Sequence, residues 1–176
     1  ASFGEARLKV DPYSRQILEQ RAAGTAVQAK RHAEHFLAEK NPPTDYPCPI
    51  HVWRFGPRGE QLTMIFLGGE VVVDYVLRLK KELAPKPLWM SAYCDDVFAY
   101  VPSERVRREG GYEVDGSPEG IDQPQHFAPE VEDTLIAAVH RVVPRSFDAA
   151  VRFSKNVADI EARDKEHGVP TNPILF

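Results

Sequence analysis

Residues 62–91, LTMIFLGGEVVVDYVLRLKKELAPKPLWMS, decide the fold. Leu62 to Leu67 is nearly all apolar and reads as a strand buried on both faces. Gly68-Gly69 interrupts it, and Glu70 stands at the junction with a helix. In that helix, over about residues 71–83, Val72, Tyr75, Val76, Leu79 and Leu83 recur on one face. Arg78, Lys80 and Lys81 sit in its last turns, where cations meet the negative end of the helix dipole. Pro85 and Pro87 follow, and Leu88 to Ala92 reads as another strand. This order predicts a crossover that lays the second strand parallel to the first.

Outward from this unit, Ile50 to Phe55 alternates as a strand, and Gly56-Pro57-Arg58-Gly59 reads as a turn. The short link predicts an antiparallel hairpin with residues 62–67. The expected class is therefore α/β or α+β, with a mixed sheet of three or more strands flanked by helices. Residues 11–40 read as one or two polar helices. Asp11-Pro12 opens the first, Gly24-Thr25 breaks the run, Thr25 caps the second and Asn41-Pro42-Pro43 stops it. Ser103 caps a short helix to Glu109, which Gly110-Gly111 ends. Residues 113–128 read as a loop. Pro129 opens a helix with Val131, Leu135, Ala138, Val139 and Val142 on one face, and Pro144 closes it. A weaker helical pattern runs through Phe147, Ala150, Phe153, Val157 and Ile160. The chain thus divides into a helical segment 1–44, an α/β unit 45–143 and a helical tail 144–176.

With 22 basic and 26 acidic residues the net charge is −4, which argues against a nucleic-acid surface. No apolar run approaches the ~20 residues that span a bilayer, so no transmembrane segment is expected. Cys48 and Cys94 fit neither a disulfide framework nor a zinc knuckle and read as separate thiols. The opening, ASFGEARLKVDPYSR, carries neither a capping motif nor a leader-like pattern. The expectation is a fragment or processed product of a longer protein.

The chemistry concentrates between Glu70 and Tyr112. Glu70 follows a buried strand and opens a helix, where the dipole and free N–H groups favour its ionised form. An anionic oxygen suits a zinc ion, although a first-turn glutamate also simply stabilises its own helix. Tyr93, Tyr100 and Tyr112 follow from the next loop and helix. Their ordinary fate is a half-buried ring with its hydroxyl at the rim. Asp95 and Asp96 suit turn formation or capping, or the orientation of a ligand. His32 and His35 read as a solvated helix face. His51, His140 and His167 stand singly, and His126 follows Tyr112 closely enough to line a site.

Four pieces of this sequence, TDYPCPIHVWRFG, the strand–GGE–helix unit, AYCDDVFAYVPS and REGGYE, resemble the neutral/alkaline non-lysosomal ceramidase family. The likeness runs from about Asp45 to Val143, the C-terminal part of that family's catalytic domain. It implies that Glu70 and Tyr100 are zinc ligands. It also implies that Tyr112 points its hydroxyl at the substrate carbonyl, in a hydrolase for a small-molecule or lipid amide, sphingolipids included. The family's histidine ligands lie far upstream, one of them in a His-x-His motif that is absent here. The resemblance therefore implies a missing N-terminal part of the same domain that carries the remaining ligands; family members are often secreted or periplasmic. The site oxygens are expected to meet on one edge of the sheet, in an open cleft flanked by exposed apolar surface, with the N-terminal helices poorly packed. The residues alone also allow a non-catalytic α/β domain whose tyrosine rim binds a ligand or partner.

Overall fold

The computed structural model describes residues 1–57, 61–83, 87–121 and 126–143. In chain order the elements are β1 (Ser2–Lys9), α1 (Arg15–Ala22), α2 (Val27–Ala38), β2 (Asp45–Phe55), β3 (Leu62–Leu67), β4 (Glu70–Val71), α3 (Val73–Glu82), β5 (Leu88–Ser91), β6 (Tyr100–Val101), α4 (Glu104–Glu109), a short π-helix (Tyr112–Gly116), α5 (Ser117–Ile121) and α6 (Val131–Val142). The tail 144–176, with its helical pattern, lies outside the described residues.

The fold is mixed α/β. A four-stranded sheet has the order β1-β2-β3-β5. β2 is antiparallel to β1 and to β3, and β5 is parallel to β3 through the α3 crossover. The hairpin and the crossover are those the sequence predicts. A second, two-stranded sheet pairs β4 with β6.

One strand escapes the sequence reading, which gives residues 1–44 to helices. Ser2–Lys9 pairs along its whole length with β2. Its inward positions are Gly4, Ala6 and Leu8, and its outward ones are Glu5, Arg7 and Lys9. That is period two, built from residues with weak strand preference, so it does not stand out. Gly4 is required there because a Cβ would lie 2.3 Å from Val142 Cγ2 of α6. Ser2 Oγ also donates to the Val142 carbonyl at 2.7 Å.

The core fills one face of the sheet. Leu8, Cys48, Ile50, Val52, Ile65 and Leu67 meet Tyr75 and Leu79 of α3 and Val131, Leu135, Ile136 and Val139 of α6. Burying each of the larger side chains is worth about 1.5–3 kcal/mol. The other face is different. Thr63, Ile65 and Leu67 are buried, but Leu62, Met64 and Phe66 are only half-buried. β3 is thus covered on one side rather than on both.

Several local expectations change. Ser14, not Asp11, caps α1, its Oγ accepting from Ile17 N at 3.3 Å. The Asp11 amide instead donates to the His126 carbonyl at 2.7 Å. Ala26 occupies the α2 N-cap, and Thr25 is not the cap. The α1–α2 pair, expected to pack poorly, has its own small core of Leu18, Ala33 and Phe36. His32 is fully buried there against Phe36, not solvated. The region after Tyr112, expected as a loop, begins with the π-helix and α5.

Cys48 is buried, and its thiol donates to the Gly68 carbonyl at 3.4 Å. Burial pushes it up to about 12. It is therefore an inert core thiol, whereas Cys94 is partly accessible. Titration with a thiol reagent is expected to consume Cys94 in the folded protein and Cys48 only after denaturant is added. Rapid native labelling of Cys48, read by peptide mass mapping, would contradict this packing.

Candidate functional site

The glycine pair after β3 lets the chain leave the main sheet where no side chain fits. A Cβ on Gly68 would stand 2.6 Å from Pro49 Cδ. Gly69 has φ +70°, and its Cβ would meet Val101 Cγ2 at 2.9 Å and the Ala99 carbonyl at 3.1 Å. The chain then enters β4 in parallel register with β6, Glu70 beside Tyr100 and Val71 beside Val101. Gly69 N donates to Asp96 O at 2.7 Å, Glu70 N to Ala99 O at 2.8 Å and Val72 N to Val101 O at 3.3 Å. Successive residues of a strand face opposite ways. Val71 and Val101 are buried, so Glu70 and Tyr100 share the outer side.

The loop from β5 to β6 holds two side-chain-bearing residues in the left-handed region, Tyr93 at φ 61° and Asp95 at φ 64°. Such backbone costs on the order of 1–3 kcal/mol per residue and persists only where the surroundings enforce it. Here Tyr93 N donates to Gly69 O at 2.9 Å, and Cys94 N to Leu67 O at 3.1 Å. The result aims two adjacent side chains in different directions. The Tyr93 phenol lies beside Glu70, which raises it above its ordinary range. The Asp95 carboxylate pairs with His51 Nε2 at 2.5 Å.

Tyr112 arrives from the third segment. Gly110 and Gly111, at φ 70° and 99°, close α4. Gly111 N then donates to Asp115 Oδ2 at 2.9 Å and closes the π-turn. Short π-helices occur often at functional positions. This one sets the Tyr112 ring edge-on to Tyr100, centroids 5.9 Å apart. Tyr112 is 65% exposed, so the ring is open to a ligand. Behind the turn, Asp115 Oδ1 lies 3.1 Å from His126, whose Nε2 lies 2.8 Å from the Tyr13 hydroxyl. Arg21 covers the Tyr13 ring at 4.2 Å and bonds Glu119 at 2.6 Å. His126 thus supports the turn that carries Tyr112.

A polar latch fixes the frame. Asp74, in the first turn of α3, accepts from Ser103 Oγ and takes two bonds from the Arg105 guanidinium, both at 3.0 Å. Ser103 also caps α4, accepting from Val106 N at 3.2 Å. Glu132 of α6 joins α3 to α4 by accepting from Arg78 at 2.8 Å and from Glu104 N at 2.7 Å.

The charge pattern at the site is one carboxylate among phenols. The hydrogen bond to Glu70, then burial, raises the Tyr100 phenol well above its ordinary range. The same bond raises Tyr93. Both phenols thus lie within the influence of the Glu70 carboxylate. The arrangement offers anionic and phenolic oxygens to a cation, and an accessible hydroxyl to a polarised carbonyl.

The sequence-nominated Glu70, Tyr100 and Tyr112 come together in the structure. Asp96 contributes its backbone carbonyl to Gly69, as a turn residue. The places of Tyr93 beside Glu70 and of His51 with Asp95 are not legible in the sequence. No local signal announces them, since neither left-handed residue is a glycine. Among the described residues no group of three or more His, Cys, Asp or Glu side chains is gathered to hold a metal ion. Among them, too, no helix is long and apolar enough to cross a membrane. Comparison of the chain with protein-family models, with curated proteins and with solved structures gave no match.

Gly69→Ala is expected to destabilise the fold by about 1–3 kcal/mol, through both the positive φ and the collision with Val101. Urea denaturation measures it, and an unchanged midpoint would contradict the tight approach. Hydrogen bonds from Arg105, then from Ser103, hold the Asp74 carboxyl below the usual carboxylate range. Its folded value lies under its unfolded one (~3.9), so the latch contributes fully above that pH. The contribution is lost as pH falls through the folded value. Glu82, lowered first by Arg78 and then by His140, titrates in the same direction. Asp74→Asn is therefore expected to flatten part of the acid limb of a stability-versus-pH curve without changing its slope above pH ~6.

Proposed function

We propose that this chain is part of a zinc-dependent amide hydrolase similar to the neutral ceramidases, with an N-acyl amide, sphingolipid amides among them, as its substrate class. One observation carries the reading. The three residues that the resemblance nominates for zinc and carbonyl, though spread over the sequence, converge on one outer edge. Glu70 and Tyr100 are strand neighbours, and the Tyr112 ring meets Tyr100 edge-on.

The donor set fits zinc in its chemistry. A carboxylate is an ordinary zinc ligand, and Tyr100 is its neighbour across the β4–β6 register. A cation held by those oxygens would replace the phenol proton, as ligand deprotonation on metal binding requires. Glu70 and Tyr100 would hold the ion, with the remaining ligands supplied from outside the described residues. When bound, zinc polarises the amide carbonyl and lowers the pKa of a coordinated water. The chain's other residues orient and donate. Tyr93 stands beside Glu70 on the same outer side. Tyr112, exposed beside Tyr100, donates its hydroxyl proton in a hydrogen bond to the carbonyl oxygen as negative charge grows there.

A non-catalytic domain that binds a ligand or partner through its tyrosine rim is the competing reading. The exposed rings of Tyr93 and Tyr112 favour it. Metal analysis separates the two. In the zinc-loaded protein, Glu70→Gln and Tyr100→Phe are expected to cut bound zinc sharply. Tyr112→Phe is expected to keep the zinc and lower kcat on an N-acyl amide about 10²–10³-fold, the usual loss for one oxyanion donor. Zinc content unmoved by Glu70→Gln would remove the ligand assignment.

A further inference from the structure

The ring faces of the tyrosine cluster offer chemistry of their own, separate from that of their oxygens. The Tyr100 and Tyr112 planes stand at 75° to each other with centroids 5.9 Å apart, so the two rings make a corner with π-walls. Tyr112 is 65% exposed and Tyr100 partly exposed, which leaves the faces they do not spend on each other open to solvent. Glu70 is the neighbour of Tyr100 in the β4–β6 register. Tyr93 completes the group. Its amide donates to Gly69 O at 2.9 Å, which pins the residue next to Glu70, and its ring is 57% exposed.

Glu70 differs from the other acids of this frame. Asp74 pairs with Arg105, Glu82 and Glu132 with Arg78, and Asp95 with His51. Glu70 takes part in no ion pair among the described residues and has phenol rings beside it instead. The face of an aromatic ring carries partial negative charge. Such faces and a carboxylate together make a negative corner with apolar walls.

That combination discriminates between cations. A primary ammonium is compact and strongly hydrated, and an open corner does not replace its water. A metal ion takes oxygen, nitrogen or sulfur ligands and gains nothing from ring carbons. A trimethylammonium group is bulky, and its methyl groups bury apolar surface against the rings while its charge is attracted by each face within about 6 Å.

We propose that Tyr93, Tyr100, Tyr112 and Glu70 form a binding site for a quaternary ammonium group. Tyr100 and Tyr112 supply the corner, Tyr93 a further face and Glu70 the balancing charge. The inference goes beyond the zinc reading and does not rest on it, because it uses ring faces where that reading uses oxygens. The π-turn that presents Tyr112 and the left-handed backbone of Tyr93 then serve one end, setting ring faces around a single carboxylate. The same group occurs on choline-type small molecules and on trimethylated lysine side chains.

Titration of the 176-residue chain, followed through its tyrosine ring NMR signals, tests this with tetramethylammonium, choline and an N-acetylated trimethyllysine amide as probes. Tetramethylammonium is expected to shift the Tyr100 and Tyr112 rings saturably, with a dissociation constant of about 10 mM. The uncharged carbon isostere of choline is expected to bind about 3–10-fold more weakly than choline. Tyr112→Leu is expected to weaken tetramethylammonium about 3–10-fold, whereas Tyr112→Phe, which keeps the ring face and loses the hydroxyl, costs less than about twofold. Glu70→Gln is expected to cost about 2–5-fold. The tighter of choline and trimethyllysine names the source of the group. No saturable ring shift with any probe would overturn the proposal, as would equal binding of the carbon isostere or equal losses in Tyr112→Phe and Tyr112→Leu. Zinc content of the same samples reads the hydrolase proposal separately. Ammonium binding in a chain that holds no zinc leaves this inference standing, and zinc binding without ammonium binding removes this inference alone.

Discussion

The two-residue parallel pairing of β4 with β6 is the constraint on which the site depends. Three backbone hydrogen bonds, from Gly69, Glu70 and Val72, tie β4 and its flanks to the Asp96–Val101 segment. Each is worth about 0.5–1.5 kcal/mol net. Against them stand two left-handed residues, Tyr93 and Asp95, at about 1–3 kcal/mol apiece. Hydrogen bonds alone come near to cancelling the strain. Burial decides the balance: Val71, Phe98 and Val101 sink into the main core, at about 1.5–3 kcal/mol each. The outward pair Glu70 and Tyr100 is therefore positioned by what its inward neighbours bury.

The rest of the architecture protects that register. Tyr75, fully buried on α3, donates its hydroxyl to the Pro102 carbonyl at 3.1 Å, directly after β6. Asp74 grips the start of α4 from the start of α3. Arg78 draws Glu82, Glu132 and Asp133 together across α3 and α6, and these carboxylates hold its guanidinium firmly protonated. Two helix starts are thus clamped on either side of a very short ladder. A shift of one residue in that ladder would turn Glu70 and Tyr100 inward and the valines outward, which the core forbids.

Elements governed by strong local rules were legible in the sequence. The hairpin, the crossover, the Ser103 cap and the apolar stripe of α6 follow from periodicity and capping chemistry, and the structure has each of them. What escaped depends on partners distant in sequence. β1 is a strand because β2 and Val142 accept its small inward residues, not because Gly4 and Ala6 favour strands. His32 is buried by the meeting of α1 and α2, which helical spacing does not reveal. Of the site, Glu70 stands out after its glycine pair, whereas Tyr100 and Tyr112 were nominated only by resemblance. The tasks of Tyr93 and Asp95 arise from backbone angles that no residue type in AYCDD announces.

Glu70 is the one carboxylate at this edge among the described tyrosines. Glu70 is partly exposed, and its carboxylate raises the Tyr93 and Tyr100 phenols beside it above their ordinary range. The open side of the sheet meets the site at the one loop whose strained residues face both, Tyr93 toward Glu70 and Asp95 toward His51.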